Sequence, residues 1–150
     1  MKPRDAAALA ARVLIGAVLI YAGASKAAAP VEEFATVVQS YGILGSDMSL
    51  STAAVLPWLE LVVGWALLLG VQTRAAATAA AALFAVFLTA LGSALLRKIP
   101  LPNCGCYGDG LHFSTGHAFL LDCGLAALCA LCWSAGPGPA SVDAWVERGR

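Results

Sequence analysis

Four apolar runs of roughly 20 residues each dominate this chain, at about 7–28, 51–71, 75–97 and 116–135. At about 1.5 Å of rise per residue, each run is long enough as a helix to cross a hydrocarbon core of about 30 Å. No stretch alternates in the period of two that a membrane β-barrel needs. The expected fold is therefore an all-α membrane protein, a four-transmembrane-helix bundle forming a single domain over 1–150. Composition agrees: 60% of residues are hydrophobic and 12% charged, where a soluble domain is nearer half and a quarter. The formal net charge is zero, and no basic face or motif suits nucleic acid, so that partner class is set aside. A lipid membrane is the partner that composition demands.

The first run follows a basic start, Met1-Lys2-Pro3-Arg4, and a small-residue stretch at Ala22-Gly23-Ala24 gives it some signal-peptide character. It is read as a span because it is long, Arg12 interrupts it, and the next segments are equally membrane-like. Between the first two spans, Val31, Phe34, Val37, Val38 and Tyr41 recur at helical spacing among Glu32, Glu33, Gln39 and Ser40. This pattern predicts a short amphipathic helix along the membrane surface, ended by Gly42 and Gly45. Ser51 or Thr52 is expected to cap the second span. The alanine-rich third span (Ala75–Ala77, Ala79–Ala82) lacks bulk and suits close, central packing. Gly136-Pro137-Gly138-Pro139 stops the fourth span, and a short interfacial helix is expected around Trp145. Trp58 and Trp65 read as interface anchors or packing residues.

Lysine and arginine divide unevenly between the two sides. Lys2, Arg4, Arg12, Arg74, Arg148 and Arg150 fall on one side; Lys26, Arg97 and Lys98 fall on the other. The positive-inside rule then places both termini in the cytoplasm. The loop from Pro100 to Gly116 faces outward, where disulfides persist.

That loop holds the chain's most reactive pattern, Asn103-Cys104-Gly105-Cys106-Tyr107-Gly108. A disulfide across one residue closes a very small ring, and strained, exposed disulfides are the labile or catalytic ones. Three readings stay open on residue type: a redox pair, two thiolates for a soft metal such as Cu(I) or mercury, and a structural clip. Cys123, Cys129 and Cys132 lie inside the fourth run. Cys129-Ala-Leu-Cys132 has redox spacing, but Cys129 is on the order of 19 Å along the helix from Gly116, so packing is the better reading. Cys123 is nearer the loop and is the better candidate for a third thiol, though packing leads there too.

Ionisable groups inside spans are costly and are usually paired or functional. Glu60 sits near the middle of the second span, and Lys26, at the outer end of the first, is its natural partner. Asp122 stands in the outer half of the fourth. Together they could hold an ion pair, carry a proton or line a site for a redox-active molecule. His112 and His117 flank the helix entry beside the cysteines and could favour thiolate or move a proton.

Arg12, Gly23 and Lys26, then Pro57 and Glu60, then Cys104-Gly105-Cys106-Tyr107-Gly108, taken in order, resemble the MauE family of methylamine-utilisation membrane proteins, relatives of the DoxX-like group. The resemblance covers roughly 11–130. It implies a four-helix membrane protein that supports disulfide formation in exported proteins, notably the small subunit of methylamine dehydrogenase. It also implies Cys104 and Cys106 as the exchanging, catalytic pair and Lys26, Glu60 and Asp122 as a buried polar set, with quinone-dependent oxidation among DoxX-like relatives. Two departures stand out: Tyr107 replaces the usual phenylalanine, and Leu120 and Leu121 stand where a basic residue would precede Asp122. The function expected is a membrane thiol–disulfide oxidoreductase or redox partner in a bacterial cytoplasmic membrane. Its partner would be an exported thiol protein or a thioredoxin-like protein, and its electrons could pass to a quinone. The rivals are a soft-metal binding or transport protein and a non-catalytic assembly subunit.

Overall fold

Apolar length and small-residue spacing produce six helices in the computed structural model, which describes residues 3–99, 114–136, 138 and 140–148. They are α1 (Pro3–Ala28), α2 (Val31–Ser40), α3 (Ser46–Leu69), α4 (Thr73–Leu96), α5 (Thr115–Ala135) and α6 (Val142–Arg148). Among the described residues there is no strand. Four of the helices, α1, α3, α4 and α5, are long and apolar enough to cross a membrane. The molecule is an all-α integral membrane protein built on those four spans.

α1 packs against α3 and α5, and α4 closes the ring by packing against the same two helices. The centre is filled by Ile15 and Leu19 of α1, Leu67 of α3, Ala77, Ala80 and Phe84 of α4, and Leu125 of α5. Large side chains such as Val62, Val86 and Leu120 point outward and are more than half exposed. In a soluble protein this would be an aggregation-prone surface; on a bundle in lipid it is the solvated face. The alanine run does bring α4 in closely, through Ala76, Ala77 and Ala80. α1 is nevertheless the most enclosed helix, with 44% of its span buried against 33% for α4.

Glycines set the α1–α3 contact. A Cβ on Gly64 would lie 2.8 Å from Ile20 Cγ1 and 3.0 Å from the Gly16 carbonyl, and one on Gly23 would lie 2.7 Å from the Pro57 carbonyl. Only hydrogen fits at these crossings, as close helix approach in a membrane requires.

The second span starts earlier than its sequence suggests. α3 begins at Ser46 with Gly45 at its N-cap, so neither Ser51 nor Thr52 is a cap. The Ser51 hydroxyl instead donates back to the Asp47 carbonyl at 3.0 Å. Asp47 in the first turn favours the helix dipole there, and the polar segment is wound into the helix with Ser49 buried. The amphipathic α2 packs on α3 as a short element beside the end of the bundle. The tail helix α6 spans the tryptophan expected in it, Trp145, which is exposed.

Two ends result from this topology. One carries the α1 N-terminus, the α3–α4 turn, the α5 C-terminus and α6. The other carries the α1 C-terminus, α2, the starts of α3 and α5, and the end of α4. The Cys104–Cys106 segment, with Tyr107 and His112, lies outside the described residues; it joins α4 to α5 and so belongs to the second end by chain connectivity.

Candidate functional site

A buried ion pair sits below that second end. Lys26, in the last turn of α1, donates from Nζ to both Glu60 oxygens at 2.9 Å and to the Ala22 carbonyl at 3.3 Å. Lys26 is 4% exposed and Glu60 0%, so this pair is removed from solvent. Burial of that kind is tolerated only where the charges meet and their remaining hydrogen-bonding capacity is used. Two aromatic faces complete the box, with the Lys26 ammonium 5.6 Å from the Phe34 ring centroid and 5.7 Å from that of Phe87. Both lie within cation–π range.

The sequence positions this pair through Gly23. A Cβ there would lie 2.7 Å from the Pro57 carbonyl and 3.1 Å from Glu60 Cβ, so α1 and α3 touch at the level of Glu60 itself. The two helices run antiparallel, and Lys26, one turn beyond Gly23, reaches Glu60 by folding its side chain back along α1, where Nζ also meets the Ala22 carbonyl.

Asp122 joins the set from α5, 1% exposed. Asp122 and Glu60 border one small internal cavity of about 10 Å³, whose other walls are Val18, Leu19, Ala22, Phe84 and Phe87. Asp122 is seven residues into α5, roughly 10 Å below the loop end. Three of the predicted residues, Lys26, Glu60 and Asp122, are therefore drawn together from three helices.

His117 is placed differently. It is exposed at the start of α5, where Ser114 is the N-cap and accepts from the His117 amide at 3.5 Å. His117 Nδ1 lies 2.6 Å from the same Ser114 hydroxyl. His117 is engaged in the helix cap and does not reach the buried set. Cys104, Cys106, Tyr107 and His112 lie outside the described residues.

The other cysteines separate by helix face. Cys129 and Cys132 are each 1% exposed within the central cluster, and Cys132 Sγ lies 3.8 Å from the Ala8 carbonyl at the far end. Cys123 is exposed on the outer face rather than packed inside. It follows Asp122 directly, and one residue turns about 100° round a helix, so an inward Asp122 sends Cys123 outward.

A polar latch at the opposite end escaped the sequence reading. Arg12, buried in α1, donates from Nη2 to the Ala140 carbonyl. The Asp143 carboxylate accepts from the Gln72 and Thr73 amides at 2.8 Å and from the Thr73 hydroxyl at 2.9 Å. Gln72 at the start of α4 makes no side-chain cap of its own, so α6 supplies the cap from 70 residues away. Gly70, at φ 69°, packs so closely on this segment that an added Cβ would fall 2.5 Å from Ser141 Cβ. Desolvation pushes the Asp143 carboxyl up, but the Thr73 and Gln72 donors and the Arg12 charge outweigh it and hold it below the usual carboxylate range. Arg12 interrupting an apolar run was the available signal; its partner, 128 residues away, gave none.

The family model for "Methylamine utilisation protein MauE" matches residues 4–135, nearly the whole chain. The chain belongs to the MauE family. It is 35% identical over 141 residues to the methylamine utilization protein MauE of Paracoccus denitrificans, covering 93% of this chain and 74% of that protein. No solved structure matches. All the spans and the buried Lys26–Glu60–Asp122 set fall inside the MauE match, whereas the α6 half of the latch falls beyond it.

Proposed function

We propose that this MauE protein is a membrane thiol–disulfide partner that acts in methylamine utilisation by supporting disulfide formation in an exported protein. One observation supports the reading: Lys26, Glu60 and Asp122 are buried together toward the end where α4 stops and α5 starts, and the chain between those two helices holds Cys104 and Cys106. Charged groups in a membrane interior persist where they line a functional path. Here Asp122 lies seven residues into α5 and Lys26 in the last turn of α1, where it pairs with Glu60 of α3.

The chemistry follows from thiol exchange. A thiolate of the exported protein, or of a thioredoxin-like carrier, attacks one sulfur of the Cys104–Cys106 disulfide, and the other sulfur leaves as thiolate. A second partner thiolate attacks the mixed disulfide. The partner leaves with a new disulfide, and Cys104 and Cys106 remain as two thiols carrying two electrons and, at neutral pH, two protons. A lipid-soluble quinone would supply the acceptor for those electrons and protons. The lysine and arginine distribution supports both termini in the cytoplasm of a bacterial cell and the loop on the outer face of the cytoplasmic membrane.

Cells carrying Cys104→Ser or Cys106→Ser should accumulate the exported partner in its reduced form, as read by thiol alkylation and gel shift. Unchanged oxidation in both variants would refute this function. Copper or mercury bound stoichiometrically to purified wild type, and lost with both cysteines, would instead point to soft-metal binding. Normal assembly of the partner without either cysteine would point to a docking subunit.

A further inference from the structure

We propose that the cleft between α2, α3 and α4 binds one anionic phospholipid, with an acyl chain in the cleft and the phosphate at Arg97 and Lys98. The cleft has a volume of about 280 Å³. α2 supplies Phe34 and Val38 to its walls, α3 supplies Leu56, and α4 supplies Val86 and Ala90; among the described residues no charged side chain lines it. Val86 is 59% exposed and Ile43, at the rim, is 53% exposed, so the cleft opens on the side where lipid meets the bundle. A soluble anion gains nothing from such walls, whereas an acyl chain meets a surface that is almost wholly apolar.

Charge at one end of the cleft selects the headgroup. Arg97 caps α4, about two turns and on the order of 10 Å beyond Ala90. Its guanidinium reaches across to the mouth of the cleft. Nη2 donates to the Tyr41 carbonyl and Nη1 to that of Gly42 at 3.4 Å, and Tyr41 and Ile43 on either side of that glycine both line the cleft. Its other bonds run to Ser93, from Nε to the carbonyl at 3.4 Å and from Nη2 to the hydroxyl at 3.1 Å. All these acceptors are neutral. They fix the guanidinium in place and leave its charge and one Nη1 N–H for an anion. Lys98 follows directly and is exposed. No carboxylate among the described residues lies within ion-pairing distance of either side chain. Glu32 and Glu33 stand in the first turn of α2, on the order of 12 Å along that helix from Tyr41, and Asp47 in the first turn of α3 pairs with neither cation. Of the three cations that run against the lysine and arginine asymmetry, Lys26 is held by Glu60, which leaves Arg97 and Lys98. An anionic headgroup is the counter-charge that a membrane supplies there, at roughly fivefold in affinity for each cation.

The test is native mass spectrometry of the full-length chain in detergent, titrated with phosphatidylglycerol or with phosphatidylcholine of the same acyl chains. One phosphatidylglycerol should bind about tenfold or more tightly than phosphatidylcholine. Lys98→Gln, at an exposed position beyond the end of α4, should weaken phosphatidylglycerol roughly fivefold and leave phosphatidylcholine unchanged. Arg97→Gln/Lys98→Gln should erase the preference between the two lipids. Ala90→Phe and Val38→Phe, which fill the cleft from two different helices, should weaken both lipids about tenfold while helicity and melting temperature are kept. Glycerol phosphate in excess should displace neither. Equal affinity for the two lipids, phosphatidylglycerol binding unchanged in Lys98→Gln or in both cleft-filling variants, or displacement by glycerol phosphate would each overturn the proposal.

Discussion

Lys26 and Glu60 are the residues on which the interior depends. Removing one partner leaves the other as an uncompensated buried charge, which costs about 3–5 kcal/mol in buried pairs. Lys26→Met and Glu60→Leu should each lower the melting temperature in nanodiscs markedly. The double variant should recover much of the loss, since two apolar side chains can replace a buried pair of similar volume. Additive losses in the double variant would show that the two residues do not act as a pair. This pairing was legible in the sequence because an ionisable group is conspicuous in an apolar run. The box around it was not. Phe34 and Phe87 read only as apolar residues at helical spacing, and nothing in the chain says that both rings meet the same ammonium. Cys123 shows the converse: proximity to the loop suggested a third thiol, while helix phase turns it outward, away from Asp122.

At the scale of elements, two contacts decide how helices sit. Gly23 is where α1 meets the Pro57 backbone, so Gly23→Val should force the helices apart. Overpacking of this kind costs typically 1–3 kcal/mol, and here it should also displace Lys26 from Glu60. A melting temperature indistinguishable from wild type would contradict the contact. The second is the Asp143 latch. The Asp143 carboxyl is held below its ordinary value when folded, so its stabilisation is complete above the unfolded carboxylate value of about 3.9 and is lost as pH falls through the lower folded value. Hydrogen exchange of the α6 amides should accelerate in that acidic window, and Asp143→Ala should give the same acceleration at neutral pH. Exchange that ignores both changes would mean that the latch holds nothing. Helix existence was readable from apolar length. The start of α3 was not, because the serine-rich Ser46–Ser51 segment has loop composition, and an acidic residue such as Asp47 suits a loop as readily as a first helical turn. The latch was invisible because its partners are 70 and 128 residues apart and polar tails carry no pairing signal.

For the whole molecule, the fold is a four-span membrane bundle, and the function proposed for it needs Cys104 and Cys106 on the outer side. Its topology is open to direct test. With outward loops as proposed, a membrane-impermeant maleimide added to reduced intact spheroplasts should label Cys104 and Cys106, and labelling that requires permeabilised cells would reverse the orientation. The four spans were legible because membrane insertion imposes a length and an apolarity that few other folds share. The order of packing, α1 and α4 facing each other across α3 and α5, was not, since any of the apolar faces could meet any other. The measurement that tests the account most directly is the reduction potential of the Cys104–Cys106 pair in native membranes, titrated against defined thiol buffers and read by alkylation. The account predicts a pair that is oxidised at rest, is reduced by a partner dithiol, and has a potential well above the roughly −300 mV below which structural disulfides typically lie. A pair that stays oxidised in every buffer, or titrates below that value, would contradict it.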